Sequence, residues 1–181
     1  NATTAPRDGS GTFSTVAGCS ASGGNQLGAT AFGAQAGVTG TGGTAVGVNA
    51  NASKHAVSLG VDSAAKGEKS VAIGAGSESV VFDGIAVGGD ALTNANGAIA
   101  LGANAQATQI SSIALGKNAQ SNTVNSIALG AGSVTIAATG TSFLTNKTEN
   151  TANGIVSVGT SAQTRRIQNL SDGSDNQDAV T

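Results

Sequence analysis

The sequence predicts an all-β protein, a single-stranded parallel β-solenoid in which each coil contributes two short strands. Three observations carry this prediction: a fourteen-residue repeat, an alternation of larger and smaller residues within it, and a composition poor in bulky side chains. A short fixed period is typical of stacked units that bury their apolar surface only against their neighbours in the array.

The repeat is a four-residue core in which Ala or Ser stands between two larger residues and Gly follows. From the first copy to the eighth, the glycines recur at intervals of 14, 13, 14, 14, 14, 14 and 14 residues. We expect these glycines to form coil corners, where a positive φ or a close backbone approach leaves no room for a side chain. They are Gly33, Gly47, Gly60, Gly74, Gly88, Gly102, Gly116 and Gly130.

Within each copy the larger residues stand two positions apart, which is the periodicity of a strand and not of a helix. In Ile99-Ala100-Leu101 one strand face carries Ile and Leu, and the other carries Ala. We expect the large side chains to fill the gap between two sheets, because they gain most from burial. The Ala face would then lie outside, either exposed to solvent or, as we favour, against another sheet.

Small residues three and five positions after the corner glycine, such as Ala105 and Ala107, predict a second strand in each repeat. Polar residues then form a turn that leads into the next copy. Two short strands cannot form an independent module. Each strand is therefore expected to pair in parallel with its counterpart one coil away, about 4.8 Å along the axis.

The composition supports a thin structure and excludes several classes of function. The 181 residues include 28 glycines, no Trp, Tyr or Met, and 10% charged residues, compared with about 25% in average domains. The chain is too apolar for disorder, and its net charge of −2 gives no basic surface for nucleic acid. No apolar run approaches the roughly 20 residues of a membrane span.

Residues suited to catalysis or to metal binding are few and scattered. Cys19, expected to be small and buried, and His55, expected at a turn, would lie about three coils apart, which disfavours a Cys–His pair. Gly88-Gly89-Asp90 is not repeated as a calcium-binding motif would be. Gly40-Thr41-Gly42-Gly43 precedes a strand and not the helix of a phosphate loop. We therefore predict no enzymatic activity, metal or cofactor.

Two features together resemble a known family. Ser70-Val71-Ala72-Ile73-Gly74 and residues 112–119 are similar to the head repeats of trimeric autotransporter adhesins of the YadA-like type. Residues 154–159, followed by 165–170 and by Asp178-Ala179-Val180, are similar to the neck of that family. The resemblance implies a left-handed parallel β-roll, an intertwined homotrimer, and a C-terminal neck.

The resemblance also divides the chain into four parts. Residues 1–28, with the incomplete copy Thr15-Val16-Ala17-Gly18, are expected to form irregular or capping coils. Residues 29–133 would be the head repeats, 134–154 an insertion before the neck, and 155–181 the neck. We expect a coiled-coil stalk and an outer-membrane anchor to follow beyond this fragment.

Adjacent cations and several acidic residues stand close together in the neck segment. They form either a solvated polar turn or interchain Arg–Asp pairs, with Asp172 among the acidic partners, that lock three necks together. The residues expected to make neck trimer contacts are Arg165, Arg166, Ile167, Asn169, Leu170, Asp175, Asp178 and Val180.

The function implied by the resemblance is that of a bacterial surface adhesin head, held at the outer membrane through an anchor that this chain lacks. Its expected partners are copies of itself and a host matrix protein of the collagen, fibronectin or laminin class, or a cell-surface receptor. A left-handed β-helix acyltransferase is disfavoured by the absence of a six-residue period, and an ice-binding solenoid by the scattered threonines. The candidate ligand contacts are Lys54, Lys66, Lys69, Glu78, Asp83 and Lys117.

Overall fold

Two parallel sheets face each other along the chain in a computed structural model that describes residues 13–137, 140, 141, 146, 148 and 153–170. In chain order the strands are β1 (Thr15–Ala17), β2 (Thr30–Phe32), β3 (Gly37–Val38), β4 (Thr44–Val46), β5 (Asn51–Ala52), β6 (Val57–Leu59), β7 (Ala64–Ala65), β8 (Val71–Ile73), β9 (Glu78–Ser79), β10 (Ile85–Val87), β11 (Leu92–Thr93), β12 (Ile99–Leu101), β13 (Gln106–Ala107), β14 (Ile113–Leu115), β15 (Gln120–Ser121), β16 (Ile127–Leu129), β17 (Val134–Thr135) and β18 (Val156–Ser157). Strand β1 and the even-numbered strands form the first sheet, and the odd-numbered strands from β3 onward form the second.

The register is the same from coil to coil, because every pair in both sheets is parallel and aligns equivalent positions of the repeat. Ala86, for example, lies opposite Ala72 on one side and Ala100 on the other. No α-helix occurs in the part of the chain that the structure describes. The predicted all-β parallel solenoid with repeats of about fourteen residues is confirmed. The division into four parts and the handedness remain predictions, and β1, which lies before residue 28, already pairs with β2 of the repeats.

One coil is shorter by a residue, and the shortening falls in the turn between β5 and β6. The register survives, since Thr44 still lies opposite Val57. The preceding turn lies close to this backbone. A Cβ on Gly40 would lie 2.4 Å from the backbone nitrogen of Lys54, and one on Gly43 would lie 2.6 Å from the carbonyl oxygen of Ser53. Turns of regular length are as closely stacked, since a Cβ on Gly67 would lie 1.8 Å from the Val81 carbonyl oxygen.

The gap between the sheets is lined by small residues, and the expectation that the large aliphatic residues fill it is wrong. Leu101, Leu115 and Leu129 are 41%, 37% and 42% exposed, whereas the central residue of each first-sheet strand from β2 to β16 is fully buried. The buried central residues are Ala31, Ala45, Ser58, Ala72, Ala86, Ala100, Ala114 and Ala128.

The physical reason is the narrowness of the coil. Val38 is the largest fully buried side chain among the described residues, and the other buried side chains are those of Ala, Ser or Thr. Sheets about 10 Å apart have large side chains between them. Here tight corners and strands of two or three residues leave room only for methyl and hydroxyl groups. The large residues consequently lie on the outer face of the first sheet.

Hydroxyl groups are tolerated in this core because they are hydrogen-bonded. The Ser70 hydroxyl donates to the Gly67 carbonyl at 2.7 Å, and the Ser77 hydroxyl donates to the Gly74 carbonyl at 2.8 Å. A buried hydroxyl without a partner would be destabilising by about 1–3 kcal/mol. Ser and Ala can therefore occupy equivalent inner positions, as Ser58 and Ala72 do.

The eight predicted corner glycines have φ values between 109° and 142°. At the first seven of them, a Cβ would lie 2.3–2.6 Å from a backbone atom of the corner glycine one coil further on. Gly130, the eighth, differs: its Cβ would lie 3.3 Å from the Arg165 guanidinium. The regular stacking of corner on corner ends at this coil.

Candidate interaction surfaces

The outer face of the first sheet carries a continuous apolar stripe. Its side chains occupy the first and third positions of successive strands, so that each lies about 4.8 Å from its counterpart along the axis. Phe32 is 59% exposed, and the others are half-buried or exposed. The apolar stripe consists of Phe32, Val46, Val57, Leu59, Val71, Ile73, Ile85, Val87, Ile99, Leu101, Ile113, Leu115, Ile127 and Leu129.

An exposed apolar surface of this extent is typical of an interface, because soluble monomers rarely leave such patches bare. The interface that the sequence suggested for the Ala face is thus supported for the opposite face. The Ala face lies inside the coil and is not available to another chain.

The outer face of the second sheet, here called the second-sheet face, is different in character. One half-buried residue of each two-residue strand points outward, and most of these residues are small or polar. Nothing in their chemistry requires cover by another apolar surface. The residues are Gly37, Asn51, Ala64, Glu78, Leu92, Gln106, Gln120 and Val134.

Two exposed ion pairs join successive coils at the turn that follows the second sheet. The Lys54 ammonium lies 3.0 Å from the Glu68 carboxylate, and Lys66 pairs with Glu78. The hydrogen bond from Lys54 holds the pKa of the Glu68 carboxyl below its ordinary value of 4.5, and the charges of Lys69 and His55 act in the same direction. Exposed pairs of this kind contribute little stability, so the charges remain available to a ligand.

The next residues of the same turn form a short charged row. His55, Lys69 and Asp83 occupy equivalent positions of consecutive coils, each with a positive φ between 54° and 60°. The Lys69 ammonium lies 5.0 Å from the centroid of the Phe82 ring, a cation–π distance. Because Phe82 is 42% exposed, the row combines charge with an accessible aromatic ring.

The structure therefore brings five of the six candidate ligand contacts to one region. Lys54, Lys66, Lys69, Glu78 and Asp83 lie at or beside the turns after β5, β7 and β9. The sixth candidate, Lys117, follows Gly116 at the other corner and three coils further along. Phe82 was not among the sequence candidates, although its position next to Asp83 could have suggested it.

Cysteine and histidine are not combined into a site. Cys19 is exposed, and the expectation that it is buried is wrong. It follows Gly18 at a corner, where the side chain points away from the gap, while His55 lies on the opposite corner. Among the described residues, no group of three or more His, Cys, Asp or Glu side chains could hold a metal ion.

The described part of the neck segment places Arg165 against its own chain. Its Nη1 donates to the Ser133 hydroxyl at 2.8 Å and to the Val158 carbonyl, and its Nη2 donates to the Ala131 carbonyl. Like Arg165 itself, the other described candidates are exposed: Arg166, Ile167, Asn169 and Leu170.

The remaining neck candidates, Asp175, Asp178 and Val180, lie outside the described residues, as does Asp172. The trimer contacts of the neck and the interchain Arg–Asp pairs therefore stay predictions. The sequence did not suggest Ser133 or Ala131 as partners of Arg165, because both look like ordinary repeat residues. The described residues contain no helix of the length and apolar character needed to cross a membrane.

Comparison with known proteins gives three consistent matches. A family model described as the YadA head domain repeat matches residues 26–50, 39–55, 52–77, 82–105 and 107–133, together more than half of the chain. The trimeric autotransporter adhesin AtaA of Acinetobacter sp. (strain Tol 5) is 60% identical over 42 residues, which is 23% of this chain. That stretch spans only 1% of the AtaA protein.

The third match is a solved structure, the collagen-binding domain of the Yersinia adhesin YadA. It is similar to this chain with a TM-score of 0.66 and 27% sequence identity, over 96% of this chain and 80% of that one. The structural similarity therefore covers almost the whole chain, whereas the family model matches only the repeats.

Proposed function

The chain belongs to the YadA head family, and from this premise we propose that it is the head of a bacterial surface adhesin. It acts without catalysis, as a rigid rod of three identical chains held at the outer membrane by other parts of the protein. The fourteen-residue coil supports this function over an acyltransferase of six-residue period. An ice-binding role would need a row of threonines along the solenoid. The outward positions of both sheets carry different residue types from coil to coil, which disfavours this role.

The apolar stripe is the observation that supports assembly into a homotrimer. Each chain presents one flat apolar surface on one side, and the second-sheet face on the other side is mostly polar. Three chains arranged in parallel around an axis would turn their apolar stripes toward one another and their polar faces outward. Such an arrangement removes apolar area from water, which stabilises the assembly by about 25 cal/mol for each Å² that is buried.

The proposed ligand is a host matrix protein, with collagen as the first candidate. The solved relative is described as a collagen-binding domain, and its 27% identity covers almost all of this chain. Fibronectin, laminin and a cell-surface receptor are the other candidates. Contacts would come from the second-sheet face and from the charged turns around Lys54, Lys69 and Asp83.

Adhesion by such a rod would be polyvalent. Three copies of each weak contact, together with many rods on one cell, raise the effective concentration of binding sites without any single dominant residue. Charged residues on repeated turns suit this mode, because each exposed contact contributes little alone.

The experiment is a binding assay with immobilised triple-helical collagen, heat-denatured collagen, fibronectin and laminin. We expect saturable binding of the purified head to native collagen and at least tenfold weaker binding to denatured collagen, a ratio worth about 1.4 kcal/mol. Binding to fibronectin or laminin alone, or equal binding to native and denatured collagen, would contradict the collagen assignment. Sedimentation of the same sample tests the trimer, and a monomer at all concentrations would contradict it.

A further inference from the structure

We propose that the C-terminal end of the solenoid is a site that binds a guanidinium group. The Arg165 side chain of the same chain fills this site, and it thereby ends the hydrogen-bonded stack of coils. The site is formed by the corner at Gly130, the carbonyl groups of Ala131 and Val158, and the Ser133 hydroxyl. All these contacts lie within one chain.

The regular corners show which bond must be replaced. In each corner the N–H group of the second residue after Gly donates to the carbonyl of the first residue after Gly in the preceding coil. Asn118 donates to Ala103 in this way at 2.9 Å, and Gly132 donates to Lys117 at 2.8 Å. Ala131 has the next carbonyl of this series.

The Ala131 carbonyl receives its bond from a side chain and not from a further coil. Arg165 Nη2 donates to it, and Nη1 donates to Ser133 and Val158 on either side. At Gly130 the guanidinium also occupies the direction that the backbone of the next corner glycine takes in the other coils. The side chain thus substitutes for one corner of backbone.

The backbone does not supply this corner, because the chain leaves the path of the coil after β18. Strand β18 keeps the register, with Val156 opposite Ile127, so that Gly159 is aligned with the corner residue Gly130. Yet the Gly159 carbonyl already accepts from the Val134 N–H at 3.0 Å. In the preceding coil, the equivalent bond from Gln120 goes to Ser133, three residues beyond the corner glycine.

A tight turn after Gly159 then brings the chain back beside the corner at Gly130. Thr160 and Gln163 are bonded to each other, with the Thr160 N–H donating to the Gln163 carbonyl at 3.0 Å and the Gln163 N–H donating to the Thr160 hydroxyl at 3.0 Å. Arg165 follows two residues later. The turn explains why Arg165, and not Arg166, reaches the corner.

The chemistry of the site fits arginine better than lysine. The acceptors are neutral and lie around the edge of one planar group, which a guanidinium can satisfy with separate nitrogens. A lysine ammonium is a point donor and cannot span the Ala131 and Val158 carbonyls in the same way. Among the described residues, no carboxylate takes part in the contact.

The test compares Arg165→Ala with Arg166→Ala, a matched control that removes the adjacent exposed cation. Hydrogen exchange is measured by mass spectrometry at the amides of residues 130–135 and 155–159. We expect Arg165→Ala to accelerate exchange of the Val134 amide about tenfold, because the last coil opens more often when a charge-assisted hydrogen bond that holds it is lost. Arg166→Ala should leave exchange at this amide unchanged.

Chemical rescue separates a binding site from a general loss of stability. Ethylguanidinium at millimolar concentration should restore protection in Arg165→Ala, and ethylammonium should not. Equal effects of the two substitutions, or the absence of rescue, would overturn the proposal. An effect of Arg165→Ala that disappears in high salt would also overturn it, because it would indicate an ion pair with the acidic residues of the neck.

Discussion

The apolar stripe and the second-sheet face are two outer surfaces of the same coil, yet they differ sharply in chemistry. Both lie opposite an inner row of Ala, Ser or Thr, in which Val38 is the exception, and both repeat about every 4.8 Å. On the first sheet most outward positions carry Ile, Leu or Val, and on the second most carry small or polar residues such as Glu78 and Gln106. The inner rows therefore determine the fold of one chain, while the outer rows determine which partner each surface can contact.

The largest expected effect is overpacking of an inner row. Ala114→Leu adds three carbon atoms to a gap in which Ala114 is fully buried. We expect a loss of about 3 kcal/mol in unfolding free energy, because well-packed cores resist added volume. Thermal unfolding followed by circular dichroism measures the change.

The matched control is Gln120→Leu, at the outward position of β15, which should alter the unfolding free energy by less than about 0.5 kcal/mol. Equal destabilisation by the two substitutions would erase the distinction between inner and outer rows.

The second effect concerns the apolar stripe itself. Ile113→Asp places a carboxylate on each of three facing stripes, where an unpaired buried charge disfavours assembly. We expect sedimentation to show the loss of the trimer at micromolar concentration. Ile113→Thr is the control, because Thr44 occupies the same position of β4, and it should keep the trimer. A stable trimer of the Asp variant would indicate that the stripe faces solvent.

The third effect is local to a corner that both faces share. Gly102→Ala introduces a Cβ 2.6 Å from the Gly116 backbone at a φ of 137°, which should lower the unfolding free energy by about 1–3 kcal/mol. Gly89→Ala is the control, since its Cβ would meet only the Ala75 carbonyl oxygen at 3.7 Å. A comparable loss at both glycines, measured by chemical denaturation, would argue against the steric role of the corner.

The smallest effect is that of the exposed ion pair between Lys54 and Glu68. Because Lys54 lowers the pKa of the folded Glu68 carboxyl below 4.5, its contribution is present above that pH and is lost as the pH falls through the folded pKa. We expect Lys54→Gln to remove this small acid-dependent part of the melting temperature and to leave the rest of the profile unchanged. Lys117→Gln should have no such effect, and an identical change in both variants would contradict the assignment.

Much of the fold could be predicted from the sequence because the repeat determines both the register and the corners. The spacing of Gly74, Gly88 and Gly102 defines a coil, and the alternation in Ile99-Ala100-Leu101 defines a strand. A period of two distinguishes two faces without indicating which one is inside. The width of the gap decides that question, and it depends on how tightly the corners close.

The candidate surfaces were predicted less completely, for a related reason. Lys54, Lys66 and Lys69 were recognised as charged turn residues, but the proximity of Lys69 to Phe82 depends on the stacking of successive coils. The contacts of Arg165 with Ala131 and Ser133 link positions more than thirty residues apart. They depend on where the last coil ends, and no local pattern encodes that point.

The direction of the inter-coil hydrogen bonds has a mechanical consequence. These bonds run along the axis of the rod, so a tensile force applied to the C-terminal segment loads one coil at a time and not all coils together. The last coil, held by the bonds from Ile127 to Ile155 and from Val134 to Gly159, is the first to be loaded. Arg165 adds its side-chain hydrogen bonds at the same coil, so that it contributes to the resistance of the rod where the load first arrives.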